Sequence, residues 1–285
     1  MQEQALDPSH DSEKQRQLWD SLAAGWEKWW PIQERGLQQV SDCLVDLAEI
    51  RPGYRVLDIG TGVGEPALTA SLRVGPEGQV IATDLSPQML AIAGKRAAAL
   101  ELQNLEFREM AAEALNFPES CFDAILARFS LMFLSDIDAA LARILRMLVS
   151  NGKFASAVWD ASWKVPIFNL AFDLAKRMFQ QSSKTAGTVS VFSLAEGILE
   201  KALTQAGFSN IQTKVLEGSM EFASVGALTQ FLGEVNAPLA GLLADQPAAL
   251  QAAYWQALAE AAQKFARTDG SIDIPTKAIC VVGQR

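Results

Sequence analysis

Val56-Leu57-Asp58-Ile59-Gly60-Thr61-Gly62-Val63-Gly64-Glu65-Pro66 decides how this chain is read: an apolar run breaks into three alternate glycines and then enters a helix. Alternate glycines permit a tight turn and let backbone N–H groups approach a ligand with no Cβ in the way, and Pro66 suits the first turn of a helix. An adenosine-bearing ligand fits such a loop. The dinucleotide fingerprint places its third glycine three positions after the second, beneath a pyrophosphate. Here the third glycine is Gly64 and position 65 is Glu, so that fingerprint fails. Asp58, two residues before Gly60, adds a carboxylate that would repel a pyrophosphate. S-adenosylmethionine (SAM) carries an ammonium and a sulfonium and no phosphate, and it meets both conditions.

Working outward, Gln79-Val80-Ile81-Ala82-Thr83-Asp84 is a short apolar strand ending in an acid 24 positions after Gly60. That is close to the spacing at which a second-strand carboxylate reaches a ribose diol. Further strands are predicted at Ala124–Ala127 and Lys153–Trp159, each after a turn, around Phe117-Pro118 and Asn151-Gly152. Alternating strands and helices indicate an α/β, Rossmann-like fold with a mostly parallel sheet.

The chain resembles the class I SAM-dependent methyltransferases, and within them the branch that includes the ubiquinone/menaquinone biosynthesis C-methyltransferases. The resemblance rests on VLDIGTGVGEPAL (56–68), VIATDLSPQMLAIA (80–93), AAEALNFPESCFDAI (111–125), ARFSLMFLSD (127–136) and NGKFASAVW (151–159). It spans about residues 13–285. It implies that Asp58, Gly60 and Gly62 shape the methionine side of a SAM site and that Asp84 binds the ribose with Leu85 beside it. Met89 would pack on the adenine, and the carbonyl of Ala127 would hold the SAM ammonium. Many relatives have an Asp for the adenine amino group where this chain has Ala111; recognition then falls to the backbone of Ala112 and to packing, or to Glu109 or Glu113. Trp19-Asp20 with Ala23 and Trp26 is similar to the aromatic N-terminal segment that covers SAM in the family.

Composition narrows the partners. Among 285 residues, 33 acidic against 24 basic give a net charge of −9, which opposes nucleic acid and anionic membranes as main partners. No apolar run of membrane-spanning length and no signal peptide are read, so a cytoplasmic protein is expected. Cys43, Cys121 and Cys280 are odd in number and scattered, against a disulfide framework or a thiolate metal site, and no metal is expected. The single histidine, His10, falls in an N-terminal tail, leaving none for base catalysis in the core.

Taken in order, residues 1–50 read as a tail and a helical lid. A helix from Ser12 carries Trp19, Trp26 and Trp30 on one face up to a break at Pro31, and a second helix covers about Leu37–Ile50. Residues 51–285 read as the methyltransferase domain. Helices are expected at Pro66–Arg73, from Ser86-Pro87 onward, at Phe168–Gln181 and at Leu194–Gly207; a polar loop at Gln181–Thr188; and strands at Ile211–Leu216 and Ala278–Val282, the last closing the sheet antiparallel. Insertions are placed at about 161–192 and 224–268, the latter helical and read as surface decoration, a dimer contact or an acceptor-pocket roof.

Candidate acceptor contacts are Trp30, Arg128, Met132, Phe133 and Trp159, an aromatic and apolar set suited to a lipophilic or aromatic small molecule, or to an amine held on aromatic faces. Arg128 reads either as a ligand for an acidic group or as half of a structural pair with Asp136 or another acid. Methyl transfer needs a base only if the nucleophile is protonated; with no core histidine, Glu65, Asp160, Tyr54, Tyr254 or water would serve. The expectation is a small-molecule methyltransferase, monomeric or homodimeric. The rival readings are a non-catalytic SAM-binding regulatory module and an NAD-dependent oxidoreductase, the latter disfavoured by Asp58 and Glu65.

Overall fold

The computed structural model describes residues 8–179 and 191–285. Seven strands form one sheet in the order β3-β2-β1-β4-β5-β7-β6: β1 (Arg55–Ile59), β2 (Gln79–Asp84), β3 (Leu105–Glu109), β4 (Phe122–Arg128), β5 (Leu148–Trp159), β6 (Ser209–Phe222) and β7 (Ile272–Gln284). The pairs from β3 through β5 are parallel, with Leu57 opposite Ile81 and Ile125, and β7 runs antiparallel to both β5 and β6. Consecutive residues of a strand point to opposite faces, and Val56, Leu57, Val80, Ile81 and Ala124 to Ala127 are all buried, so both faces of the central strands are covered. That is the continuous apolar pattern of a buried parallel sheet. Strand order reverses between β1 and β4, and the crevice at that switch point is where ligands of such sheets sit.

Short polar side chains start the helices. Ser86 accepts the Met89 N–H at 3.1 Å to cap α3 (Pro87–Ala99), with Pro87 at its first position; Asp136 caps α4 (Ile137–Met147) through Ala139. In α2 (Ala67–Val74) the Ala67 N–H is taken by Asp58, at 3.1 Å, from the strand before it. These are the acceptors that a helix's first N–H groups require.

Four sequence expectations change. The predicted break at Pro31 is absent: α1 runs unbroken over Pro8–Leu47. One missing N–H removes a single helical bond, and anchors on both sides of it hold the helix in place: Lys28 and the Trp29 indole bind Glu234 at 2.9 and 2.6 Å, and Arg96 binds Glu34 at 3.1 Å. Strand β3 went unrecognised because its residues are half-buried or exposed at the sheet edge, which gives it no clear apolar alternation. Strands β6 and β7 are 14 and 13 residues long, longer than expected, since their outer ends are polar. Helix α6 begins at Ile198, after Gly197 with φ of 85°. The predicted loop at Gln181–Thr188 and residues 1–7 of the predicted tail lie outside the described residues.

Between β6 and β7 the expected helical insertion is three helices, α7 (Val225–Val235), α8 (Ala237–Ala244) and α9 (Ala248–Ala262). Helix α5 (Pro166–Met178) packs on α9, and α1 lies against β4 to β7, α3 and α7. No helix among the described residues is long and apolar enough to cross a membrane.

Candidate active site

The glycine loop turns at the carboxyl end of β1 with φ of 70° at Gly60 and 53° at Gly62, values that only glycine adopts readily. Its N–H groups do not point outward as expected. Gly60 and Thr61 both donate to the Thr83 carbonyl, at 2.8 and 2.9 Å, and Gly62 donates to Asp84 Oδ2 at 2.8 Å. The loop therefore clasps the end of β2, and what it leaves free is space: a Cβ on Gly62 would meet nothing within 4 Å, whereas one on Gly60 would lie 2.5 Å from Ser130 Cβ. Ser130 is itself tied to the loop through the Ile59 carbonyl at 2.7 Å.

One cavity opens over this loop. Of the residues expected to bind cofactor, Gly60, Gly62, Asp84, Leu85, Met89, Ala111, Ala112 and Trp26 border it. Asp58 and Ala127 are fully buried and do not. Asp58 sits behind the loop at the start of α2, so the carboxylate that faces the cavity beside the glycines is Glu65. The pairing of β4 with β1 stops at Leu126, which leaves the backbone of Ala127 where the two strands part.

Of the expected acceptor contacts, Arg128, Met132, Phe133 and Trp159 border the cavity and Trp30 does not. Gln15, Trp19, Trp26, Gln33 and Leu37 of α1 line it; at 100° per residue these five fall within an arc of about 40°. Trp30 lies beyond that arc and stacks under the Arg96 guanidinium at 4.2 Å. The far wall holds Phe129 stacked on Trp159 at 4.0 Å, with Phe168, Met220, Phe231 and Val235 nearby. Phe129 has φ of 55°, a strained value for an aromatic residue of the kind found where a site fixes a side chain. Sequence reasoning missed Gln33, Leu37 and Asn236, whose signal was the seven- and four-residue spacing from Trp26 along one helix and a helix cap, respectively.

The charges are uneven. Burial pushes the Asp58 carboxyl up to about 7, and it pushes Asp84 up too, against the pull of its bonds from Ser86 and Gly62 N–H. Burial draws the Arg128 guanidinium down while Glu65 and Asp58 hold it up. Its partner is not Asp136, which caps α4, but Ser41 Oγ at 3.0 Å. Among the candidate bases, Asp160 is engaged by Ala161 N–H and Lys164 and lies outside the lining. Tyr254 is fully buried, donates to the Ala171 carbonyl, and has its hydroxyl pushed up by burial. Tyr54 precedes β1, at the opposite end of the strands from the cavity. Glu65 alone of these side chains borders the cavity, buried and accepting the Thr69 hydroxyl at 2.7 Å. Among the described residues no group of His, Cys, Asp or Glu is placed to hold a metal.

A parallel sheet with reversed order at β1/β4, a glycine loop and an acid-tipped β2 over one crevice together define a Rossmann-like methyltransferase. Comparison with known proteins agrees. The family described as "Methyltransferase domain" matches residues 56–152. A ubiquinone/menaquinone biosynthesis C-methyltransferase, UbiE, of Xanthomonas axonopodis pv. citri is 31% identical over 189 residues, covering 62% of this chain and 74% of that one. An aklanonic acid methyltransferase, DauC, of a Streptomyces species is 39% identical over 112 residues, 39% of this chain and 51% of that one. The crystal structure of the YcgJ protein of Bacillus subtilis superposes with a TM-score of 0.57 at 20% identity, over 87% of this chain and 98% of that one, a likeness of fold. The chain belongs to the SAM-dependent methyltransferase family that includes the UbiE C-methyltransferases. SAM is its methyl donor, and neither the site nor the relatives favour a non-catalytic binding module.

Proposed function

We propose that the cavity holds SAM at its glycine-loop end and a lipophilic, ring-containing small molecule at its aromatic end, and that the protein methylates the latter. The observation that carries the proposal is the continuity of one lining, from Gly60, Gly62, Asp84, Met89 and Ala112 to Phe129, Trp159, Phe168 and Phe231. The residues fit the donor. Asp84 faces the cavity with each oxygen accepting one backbone N–H, and an ionised carboxylate oxygen has a further lone pair for a ribose hydroxyl. Trp26 Nε1, on a residue that borders the cavity, is buried without a partner among the described residues, as a polar group awaiting a ligand would be. Ala112 and Met89 offer backbone and an apolar face to adenine. A UbiE relative named for ubiquinone and menaquinone biosynthesis and a relative named for aklanonic acid support a ring-bearing acceptor.

The sulfonium, when bound, supplies a methyl group to the acceptor's electron pair, the sulfur keeping the bonding pair as S-adenosylhomocysteine (SAH) is released and one proton leaving the acceptor. The chain's own work is to align the acceptor and exclude water. In this reading α1 is the lid over both ligands, α7 and the α7–α8 junction form a roof through Phe231, Val235 and Asn236, and Glu65 takes the proton. The enzyme of this proposal is cytoplasmic and acts as a monomer or homodimer, and its net charge of −9 disfavours anionic partners.

Calorimetric titration with SAM, SAH and NADH in parallel tests the donor site, followed by an acceptor screen with lipophilic phenols, quinols and amines. Micromolar binding of SAM and SAH without NADH, and turnover of a ring-bearing acceptor, are expected. NADH binding, or turnover only of small polar acceptors, would refute the assignment.

A further inference from the structure

Ser86 is a buried joint between three parts of the protein. Its N–H donates to Asp84 Oδ1 at 2.9 Å, and its hydroxyl oxygen accepts the Met89 N–H at 3.1 Å. Asp84 and Met89 are the residues proposed above to take the ribose and the adenine. The third bond reaches α1: the Ser86 hydroxyl donates to Asp20 Oδ1 at 2.5 Å. The proton can point only one way, because the Met89 N–H uses the oxygen as an acceptor and a carboxylate paired with an arginine only accepts. Arg16 is that arginine, on Asp20 Oδ2 at 2.8 Å, so the carboxylate is gripped from both sides. A short bond to a charged group is the stronger kind of hydrogen bond, and this one has a wholly buried donor and an acceptor side chain that is 20% exposed.

The first turns of α1 rest on a small footing. Ala23, Val63, Met89 and Ile92 form an apolar cluster of their own, apart from the main core, and Trp19, Trp26 and Trp30 pack against it. Further along, Leu37, Val40, Leu44 and Val45 sink into the main core. The Lys95–Glu27 ion pair on the same stretch is exposed, and such pairs add little. With so few apolar contacts at the Trp19 end, a buried charge-assisted bond carries a large share of the docking. Trp19 and Trp26 border the same cavity as Asp84, Leu85 and Met89, so what docks these indoles also closes the donor compartment.

Building on the donor site proposed above, we infer that Asp20 is a positioning residue for the methyl donor: by closing on the Ser86 hydroxyl it seats Trp19 and Trp26 over the cofactor and sets how long SAH stays bound. Asp20 is not part of the cavity lining; it acts through Ser86 and through the indole next to it in the chain. SAH leaves only when the indoles lift, and lifting them breaks the bond, so its strength enters the barrier to release.

The release rate is read by loading the protein with tritiated SAH and chasing with excess unlabelled SAH. Asp20→Ala is expected to release SAH at least about tenfold faster than wild type, the factor that a hydrogen bond to a charged group supports. Ser86→Gly removes the hydroxyl, keeps the N–H that Asp84 receives, and is a mild change at a helix cap; it should speed release to a similar extent. Because both act through one bond, the double variant should be no faster than the faster single one. Asp20→Asn, an acceptor without the charge, should fall between wild type and Asp20→Ala. A bond that serves only the fold would instead lower the urea midpoint of the empty protein and leave the release rate as it is. Unchanged release in either single variant, or accelerations that multiply in the double variant, overturns the inference, whereas failure of the wild type to retain SAH would refute the donor assignment instead.

Discussion

Asp84→Ala is the substitution that tests the donor site most directly. Asp84 ends β2 with Oδ2 on the Gly62 N–H at 2.8 Å and Oδ1 on the Ser86 N–H at 2.9 Å, so its carboxylate joins the glycine loop to the start of α3 as well as facing the cavity. Removing it takes one charged acceptor from the ribose hydroxyls, about 1.5–3 kcal/mol, which corresponds to roughly 10- to 150-fold weaker binding. It also frees two backbone donors, a further loss of about 1–3 kcal/mol in the stability of the empty protein. The assay is calorimetric titration with SAH, paired with urea unfolding without ligand. Because a loosened loop would also weaken binding, an SAH analogue lacking both ribose hydroxyls completes a thermodynamic cycle. Wild type should bind the analogue poorly, and Asp84→Ala should bind SAH and the analogue alike. If the variant still prefers SAH by the wild-type ratio, or binds SAH within about threefold of wild type, Asp84 does not hold the ribose.

Four other outcomes are expected. Gly60→Ala places a Cβ 2.5 Å from Ser130 Cβ at φ of 70°; SAH binding should be lost to calorimetry with a lowered Tm, and adding Ser130→Gly should recover only part because the backbone strain remains. The Asp58 carboxyl titrates near 7 when folded against an ordinary value of 3.8. The folded state therefore retains a proton that the unfolded chain has released, and stability falls as pH rises from about 4 to about 7, by at most about 1.4 kcal/mol per unit. Urea unfolding across that window should show a shallower fall in Asp58→Asn, and identical slopes would refute the burial argument. Tyr254→Phe leaves the Ala171 carbonyl without its buried donor, which should cost about 1 kcal/mol and a Tm decrease of about 2–4 °C with turnover unchanged. Glu65→Gln should reduce kcat by about 100-fold or more if Glu65 takes the acceptor's proton, with SAH affinity close to wild type; an equal loss in both would make it a positioning residue.

The sheet was legible because its central strands are buried on both faces and so appear as apolar runs punctuated by glycines, prolines and acids. The half-exposed β3 lacks that contrast. The glycine loop and Asp84 were readable from their spacing, Met89 and Ala112 only through the resemblance to a family, and all of them border the cavity. What local pattern could not supply was the direction of a group: that Asp58 turns behind the loop, that the loop's N–H groups bind β2, and that Arg128 pairs with Ser41 rather than an acid depend on how distant segments pack. Pro31 misled for the opposite reason. Its local effect is real, and tertiary anchors at Glu234 and Arg96 outweigh it.

The unbroken α1 makes the two halves of the site mechanically dependent. Trp19, Trp26, Gln33 and Leu37 all line the cavity, and all four ride on one rod secured near its middle by Glu234 and near its start by Asp20, which accepts the Ser86 hydroxyl at 2.5 Å. Because α1 is continuous through Pro31, lifting its first turns off Ser86 would also draw on Gln33 and Leu37, so that release of SAH and loosening of the rest of the cavity would be coupled.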